Sequence, residues 1–250
     1  MSSPLVFAPR PAAEGLDPID QVLAERQYRI VYQPIVDLAS GRVVGNEALA
    51  RSSSPRLAGT LELIDAAVRA GRMGELGREL RGLALAGCPD TAIWVNIVPQ
   101  EFDAGYLVRP DDPIFRHRHP IYLEITESAP LEYFEQCHFI LDELRTRGVF
   151  LAVDDFGAGY SNFKYIADLR PAIIKLDRKL IAGIKPFSRQ FRLVRAIVHL
   201  AHQMGAKVVA EGIESAEELH LVRDGGADYG QGYFLAYPAA PPPRVPWPLS

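Results

Sequence analysis

Eight short apolar runs, with amphipathic segments between most of them, restrict the fold of this chain more than any other feature. The runs are YRIVYQPIVDL, RVVGNEALA, TAIWVNIV, IYLEIT, VFLAVDD, AIIKLD, AKVVAEG and YGQGYFLAY. Within 187–204, Phe191, Val194, Val198 and Ala201 recur at helical spacing, and Gly205 follows as a stop. Ser215 with Glu218 reads as a capping box opening the next helix, which Gly225 ends. The 131–147 segment closes on Gly148 in the same way. Strand–helix alternation over this length predicts parallel strands with helices outside, an α/β fold of the TIM-like (β/α)8 barrel type. The first two runs are joined only by DLASGRV, too short for a crossover helix. They pair as a hairpin, so one strand runs antiparallel to the rest.

With 48% apolar residues in 250, the chain can fill one sizeable core. A net charge of −4 sets up no strong attraction for nucleic acid polymers or an anionic membrane. Cys88 and Cys137 have no disulfide or metal-ligand pattern, and reduced, buried thiols are expected. No signal peptide and no membrane segment is read, which predicts a cytoplasmic protein.

The polar residues near the ends of the runs carry the chemistry. They are Glu47, Asn96, Glu124, Asp154 with Asp155, Lys175, Glu211 and Gln231. In a barrel the strand ends converge on one face, so these residues form a ring around one spot. Four or five carboxylates share a partly dry site only when cations neutralise them. An Asn carbonyl among them suits Mg2+ or Mn2+, which prefer oxygen ligands. Asp154 and Asp155 could then serve two neighbouring ions, with Asp154 as the bridge. Each residue also has a plainer reading. Asp154-Asp155 with the following glycines could be a turn, Glu47 a surface helix residue and Asn96 a satisfied backbone partner. Glu124 and Glu127 could form a solvated rim, Lys175 could pair with Asp177, and Glu211 could be a turn carboxylate. All of these holding at once, at one strand end after another, is improbable.

In this order the motifs resemble the EAL family of cyclic di-GMP phosphodiesterases: YQPIV at 32–36, EALAR at 47–51, VNI at 95–97, LEITES at 123–128, DDFGAGYSN at 154–162, IKLD at 174–177, AEGIE at 210–214 and GQGYFLAYP at 230–238. The resemblance covers a barrel domain over 25–240; the sequence before it, 1–24, reads as an N-terminal arm, and 241–250 as a proline-rich tail, packed on the surface, disordered or a ligand for a proline-binding module. It implies hydrolysis of cyclic di-GMP to linear 5'-pGpG with two Mg2+ or Mn2+ ions. Glu47, Asn96, Glu124 and Asp154 would hold the first ion; Asp154, Asp155 and Glu211 would hold or organise the second. Lys175 would sit against the nucleophilic water, with Glu211 a general base or only a ligand. Gln33, Leu49, Arg51, Asp177 and Gln231 would face the substrate or orient the water. Glu127 would anchor the loop from Asp155 to Tyr160, which couples the metal site to a homodimer interface. No sensor domain is read in the sequence, so the enzyme is either constitutive or regulated by a separate sensor or regulatory partner. The segment 52–76 departs from the family by lacking paired glutamates, which bears on substrate affinity, and Asn162 replaces a frequent serine. Two other classes compete: a silent cyclic di-GMP receptor of the same family, and an unrelated metal-dependent barrel enzyme.

Overall fold

The computed structural model describes residues 17–103, 107, 109–126, 140–158 and 163–247, with only the backbone of 102–103 and 163–165. The hairpin expected from the short DLASGRV link is present. Strand β1 (Tyr28–Asp37) pairs antiparallel with β2 (Val43–Ser52), placing Gln33 opposite Glu47. Asp37 closes its turn by accepting hydrogen bonds from the Ser40 N–H and hydroxyl, both at 2.7 Å. The chain continues through β3 (Ala92–Asn96), β4 (Ile121–Thr126), β5 (Val149–Phe156), β6 (Ile173–Leu176), β7 (Lys207–Ala210) and β8 (Tyr229–Gly230). The eight strands close in sequence order into a barrel. The reversed strand is β1, antiparallel to both β2 and β8, while every other pairing is parallel.

Side chains alternate along a strand, so each central strand sends one set inward and one outward. The outward set, including Val95, Leu123, Val153, Ile174 and Val208, meets the helices in the main core. The inward set forms a separate layer of Ile35, Trp94, Ala152, Ile173 and Val209. Trp94 stacks on Tyr122 with ring centroids 4.2 Å apart. Gly45 makes room for it: a Cβ there would lie 2.4 Å from the Trp94 ring and 2.4 Å from the Ala92 carbonyl oxygen. This apolar plug is the floor on which the polar residues one step further along each strand rest.

Three expectations are corrected. Helix α1 (Pro18–Glu25) begins inside the segment assigned to an arm, because Asp17 caps it and Ile19 and Val22 are buried against α2 (Thr60–Arg69) and α3 (Met73–Gly87). The last apolar run is a strand for two residues only. Beyond it Gln231 N–H donates to the Ala210 carbonyl at 2.9 Å, and Gly232 packs so closely on the Ile213 backbone that a Cβ would lie 2.1 Å from an oxygen. The chain then turns, with Leu235 N–H donating to Gly232. Ser215 caps the helix Ala216–Asp224 by accepting from Glu218 N–H, but the Glu218 carboxylate reaches Glu214 N–H at 2.8 Å and Gly183 N–H at 3.0 Å rather than closing the box. Gly225 ends that helix as its C-cap, as expected, and the left-handed residue is the next one, Gly226. The helix Arg189–Gln203 matches its apolar spacing, with Gly205 left-handed beyond it. Of the 131–147 segment, residues 140–146 are helical and the remainder up to 139 lies outside the described residues.

Near the C-terminus Ala239 exchanges two backbone hydrogen bonds with Tyr32, at 2.8 and 3.0 Å. Val245 and Trp247 pack on the core, Trp247 over the hairpin glycine Gly41. Among the described residues no helix is long and apolar enough to cross a membrane.

Candidate active site

One step above the apolar plug, all eight strands contribute a polar side chain to a single layer. Gln33 comes from β1, Glu47 from β2, Asn96 from β3, Glu124 from β4, Asp154 from β5 and Lys175 from β6; Glu211 and Gln231 follow β7 and β8 directly. Lys175 sits among the carboxylates, with Nζ 2.6 Å from Glu124, 2.7 Å from Glu211, 3.2 Å from Asp154 and 3.7 Å from Glu47. Asn96 donates to Glu47 at 3.2 Å and to Glu124 at 3.1 Å. Gln231 donates to Glu47 at 2.6 Å and to Gln33 at 3.2 Å, while Gln33 donates to the Ala236 carbonyl at 3.1 Å.

Asp155 joins this layer by an irregularity of the backbone. In a regular strand it would face away from Asp154. Here the β5–β6 register shifts between Val153 and Phe156, and Asp155 has φ +56°, in the left-handed region that Asp tolerates better than most residues. As a result the oxygens of Asp154, Asp155 and Glu211 lie within 4.8 Å of one another, as do those of Glu47, Glu124 and Asp154. Asp154 belongs to both groups.

Burial and charge act on these groups in opposite directions. Burial pushes Glu124 well above the ordinary carboxylate range, against the pull of Lys175. Burial likewise raises Glu211, to about 8. Burial also acts to raise Glu47, but Lys175 together with the Gln231 and Asn96 hydrogen bonds brings it below its ordinary value. For Lys175 the burial cost is outweighed by Glu124, Glu211, Glu47 and Asp154, which hold the ammonium well above the ordinary lysine value.

Two clefts open from this layer. One, of about 410 Å³, is mostly apolar and runs from Glu47, Asn96 and Asp154 between Leu49, Arg51, Leu61, Ile64, Met73 and Leu80. Its walls include part of the 52–76 segment. The other, of about 380 Å³, is polar and contains Gln33, Lys175, Asp177, Glu211 and Gln231. Leu49 borders both. Arg51 and Asp177 therefore lie in different clefts. Asp177 also caps the helix Arg178–Ile181 by accepting from Lys179 N–H at 2.9 Å. Glu127 and the loop residues Gly159, Tyr160 and Asn162 lie outside the described residues.

A buried ion cluster beneath the apolar cleft escaped the sequence reading. Arg81 on α3 binds Glu101 and, at 2.8 Å, Asp112; all three are almost completely buried. Glu101 also accepts from Val98 N–H at 3.2 Å, and Asp112 from Ile114 N–H at 3.1 Å. The signal was an arginine at 81, in step with Gly77, Ala84 and Leu85 on the buried face of a helix.

The donor set fits hard divalent cations. It is all oxygen and amide, without the soft ligands that zinc or copper favour, and the Gln231 carbonyl oxygen is buried with no hydrogen-bond partner among the described residues. Five carboxylates and one ammonium leave the layer at −4 when fully ionised, which two divalent ions balance.

Comparison with known proteins agrees with this geometry. The family model described as EAL domain matches residues 18–238. The chain is 32% identical over 261 residues to the cyclic di-GMP phosphodiesterase PA2567 of Pseudomonas aeruginosa, covering 98% of this chain and 44% of that protein. It is 33% identical over 238 residues to the cyclic di-GMP phosphodiesterase NbdA of the same organism, covering 87% of this chain and 30% of that one. The chain thus spans less than half the length of these relatives. Among solved structures, the PaMucR phosphodiesterase in complex with c-di-GMP superposes with a TM-score of 0.76 at 29% identity, over 89% of this chain and 96% of that one. A manganese and cyclic di-GMP complex of Klebsiella pneumoniae BlrP1 gives a TM-score of 0.73 at 28% identity, over 86% and 57%. Motif order, barrel topology and the polar layer converge on one conclusion: the chain belongs to the EAL domain family.

Proposed function

We propose that this chain hydrolyses cyclic di-GMP to linear 5'-pGpG with two divalent cations, Mg2+ or Mn2+. The observation that carries the proposal is the pair of carboxylate groups sharing Asp154, with a formal charge that two such ions neutralise. Relatives named as cyclic di-GMP phosphodiesterases support the substrate, and a neighbour solved with manganese supports the cofactor class.

In this reading Glu47, Asn96, Glu124 and Asp154 hold one ion, and Asp154, Asp155 and Glu211 the other. When bound, such a pair activates water and stabilises the entering and leaving oxygens of an in-line displacement at phosphorus. The protein's own groups do the rest. Gln231 and Asn96 orient the Glu47 carboxylate by donating to it. Lys175 adds positive charge as the anionic transition state develops. Glu211, with its raised proton affinity, can take up a proton beside the polar cleft. Arg51 and Leu49 in the apolar cleft, and Gln33 and Asp177 in the polar one, contact the two halves of the dinucleotide. Glu127 anchors the loop after Asp155, a role that rests on the family resemblance. The family resemblance supports a cytoplasmic homodimer, either constitutive or regulated by a separate sensor or partner.

The test is to incubate the purified chain with cyclic di-GMP and Mg2+ or Mn2+, with a chelator control, and resolve the products. Metal-dependent pGpG supports the reading. Binding without turnover makes the chain a receptor, and neither binding nor turnover removes the substrate assignment. Glu127→Ala should cut activity severely and be partly restored by excess cation; wild-type activity and cation dependence in this variant would remove the loop role.

A further inference from the structure

We infer that Lys175 is the internal stand-in for the divalent cations: its ammonium neutralises the carboxylates while no ion is bound and releases them as ions enter. The inference rests on the proposal that divalent ions bind these oxygens. It goes further in assigning the lysine two mutually exclusive states.

The geometry supplies the reason. Glu47, Glu124, Asp154 and Glu211 come from four different strands or strand ends, and all of them face one nitrogen. Among the described residues no other lysine or arginine pairs with any of the four. Without a cation these like charges would push the top of the barrel apart, and the almost fully buried ammonium is what opposes them. An ammonium has three N–H donors. Three contacts are short, to Glu124, Glu211 and Asp154, and the fourth, to Glu47 at 3.7 Å, is beyond hydrogen-bond reach. Glu47 takes its hydrogen bonds from Gln231 and Asn96 instead. The nearest neighbours of the ammonium are therefore carboxylate oxygens of Glu124, Glu211 and Asp154. Cations taking over those oxygens would displace the ammonium from its charge partners. Loading the site and arming the lysine become a single event, which keeps a potent cation away from the substrate until the site is complete.

The experiment compares wild type, Lys175→Met and Lys175→Arg by thermal melting in EDTA and in Mn2+, and by calorimetric titration with Mn2+ alone, without nucleotide. Lys175→Met should melt about 10 °C below wild type in EDTA, because one partner of a buried charge cluster is gone. Mn2+ should recover most of that loss and bind at least about tenfold more tightly than to wild type, since no ammonium competes for the oxygens. Lys175→Arg keeps the charge and should stay close to wild type in EDTA, with no gain in Mn2+ affinity. A Lys175→Met protein that folds only with Mn2+ and unfolds on chelation also supports the inference. Equal melting in EDTA, or Mn2+ binding no tighter than wild type, overturns it. So does a Lys175→Met protein that cannot be recovered even with Mn2+ while Lys175→Arg folds. Wild type that neither binds nor responds to Mn2+ would sink the metal reading of the site instead, a different failure from that of the lysine.

Discussion

Asp154→Asn should move two observables in opposite directions, and the size of one follows from distances. Asp154 lies within 4.8 Å of Glu47, Glu124, Asp155 and Glu211. At an effective dielectric constant of about 20, each such repulsion between unit charges 4.8 Å apart is worth about 3.5 kcal/mol. The attraction to Lys175 at 3.2 Å is worth about 5 kcal/mol on the same scale. Burial raises Glu124 well above the ordinary range and Glu211 to about 8, which weakens their share of the repulsion. The repulsions from Glu47 and Asp155 alone exceed the lysine attraction by about 2 kcal/mol. In EDTA, Asp154→Asn should therefore be more stable than wild type, melting roughly 4–8 °C higher. The same substitution removes the carboxylate that both groups share. Losing several kcal/mol of charge stabilisation corresponds to a fall in turnover of roughly 10³-fold. Melts in chelator and a product assay with Mn2+ read the two effects. A variant that melts lower in EDTA, or one that keeps wild-type turnover, would refute the charge argument or the shared-ligand argument respectively.

Three further outcomes test the frame around the site. Arg81→Met should cost about 3–5 kcal/mol by leaving Glu101 and Asp112 buried without their cation; adding Glu101→Gln should recover part of the loss in a denaturant melt, and a single variant as stable as wild type would show the cluster to be dispensable. Gly45→Ala should be destabilised by about 1–3 kcal/mol or more, because its Cβ would meet a backbone oxygen and the Trp94 ring, both at 2.4 Å; unchanged stability would mean that the plug can shift. The pKa of Asp37 is lowered chiefly by the Ser40 hydroxyl, so its contribution is present above its unfolded pKa and is lost as pH falls through the lower folded value; Asp37→Asn should flatten that part of the acid limb in a pH-dependent melt, and an unchanged profile would remove the assignment.

Much of the site was legible because a strand has a period of two and a barrel gathers strand ends. A polar residue closing an apolar run, as Asn96 does after Ile93, Trp94 and Val95, has to point into the barrel mouth once its alternate neighbours face the helices. That argument needs only local sequence, and it holds for Glu124 and Lys175 as well. The short DLASGRV link likewise dictated a hairpin from loop length alone.

The remainder depended on closure of the barrel, which no local window contains. Which hairpin strand is reversed was decided by the parallel pairing of β2 with β3 and the antiparallel pairing of β1 with β8, while the hairpin register itself puts Gln33 level with Glu47. Asp155 joins Asp154 in one carboxylate group only through a register shift and a left-handed residue, whereas strict alternation would separate the two. Glycine at 45 was needed because a tryptophan from the adjacent strand fills the axis, and Arg81 is tolerated on a buried helix face because two acids distant in sequence, Glu101 and Asp112, meet it there. Spacing along the chain sets which way a side chain leaves its own strand or helix. What it meets there is set by long-range pairing, and the charge balance of Lys175 among carboxylates from four separate strands exists only once those strands are side by side.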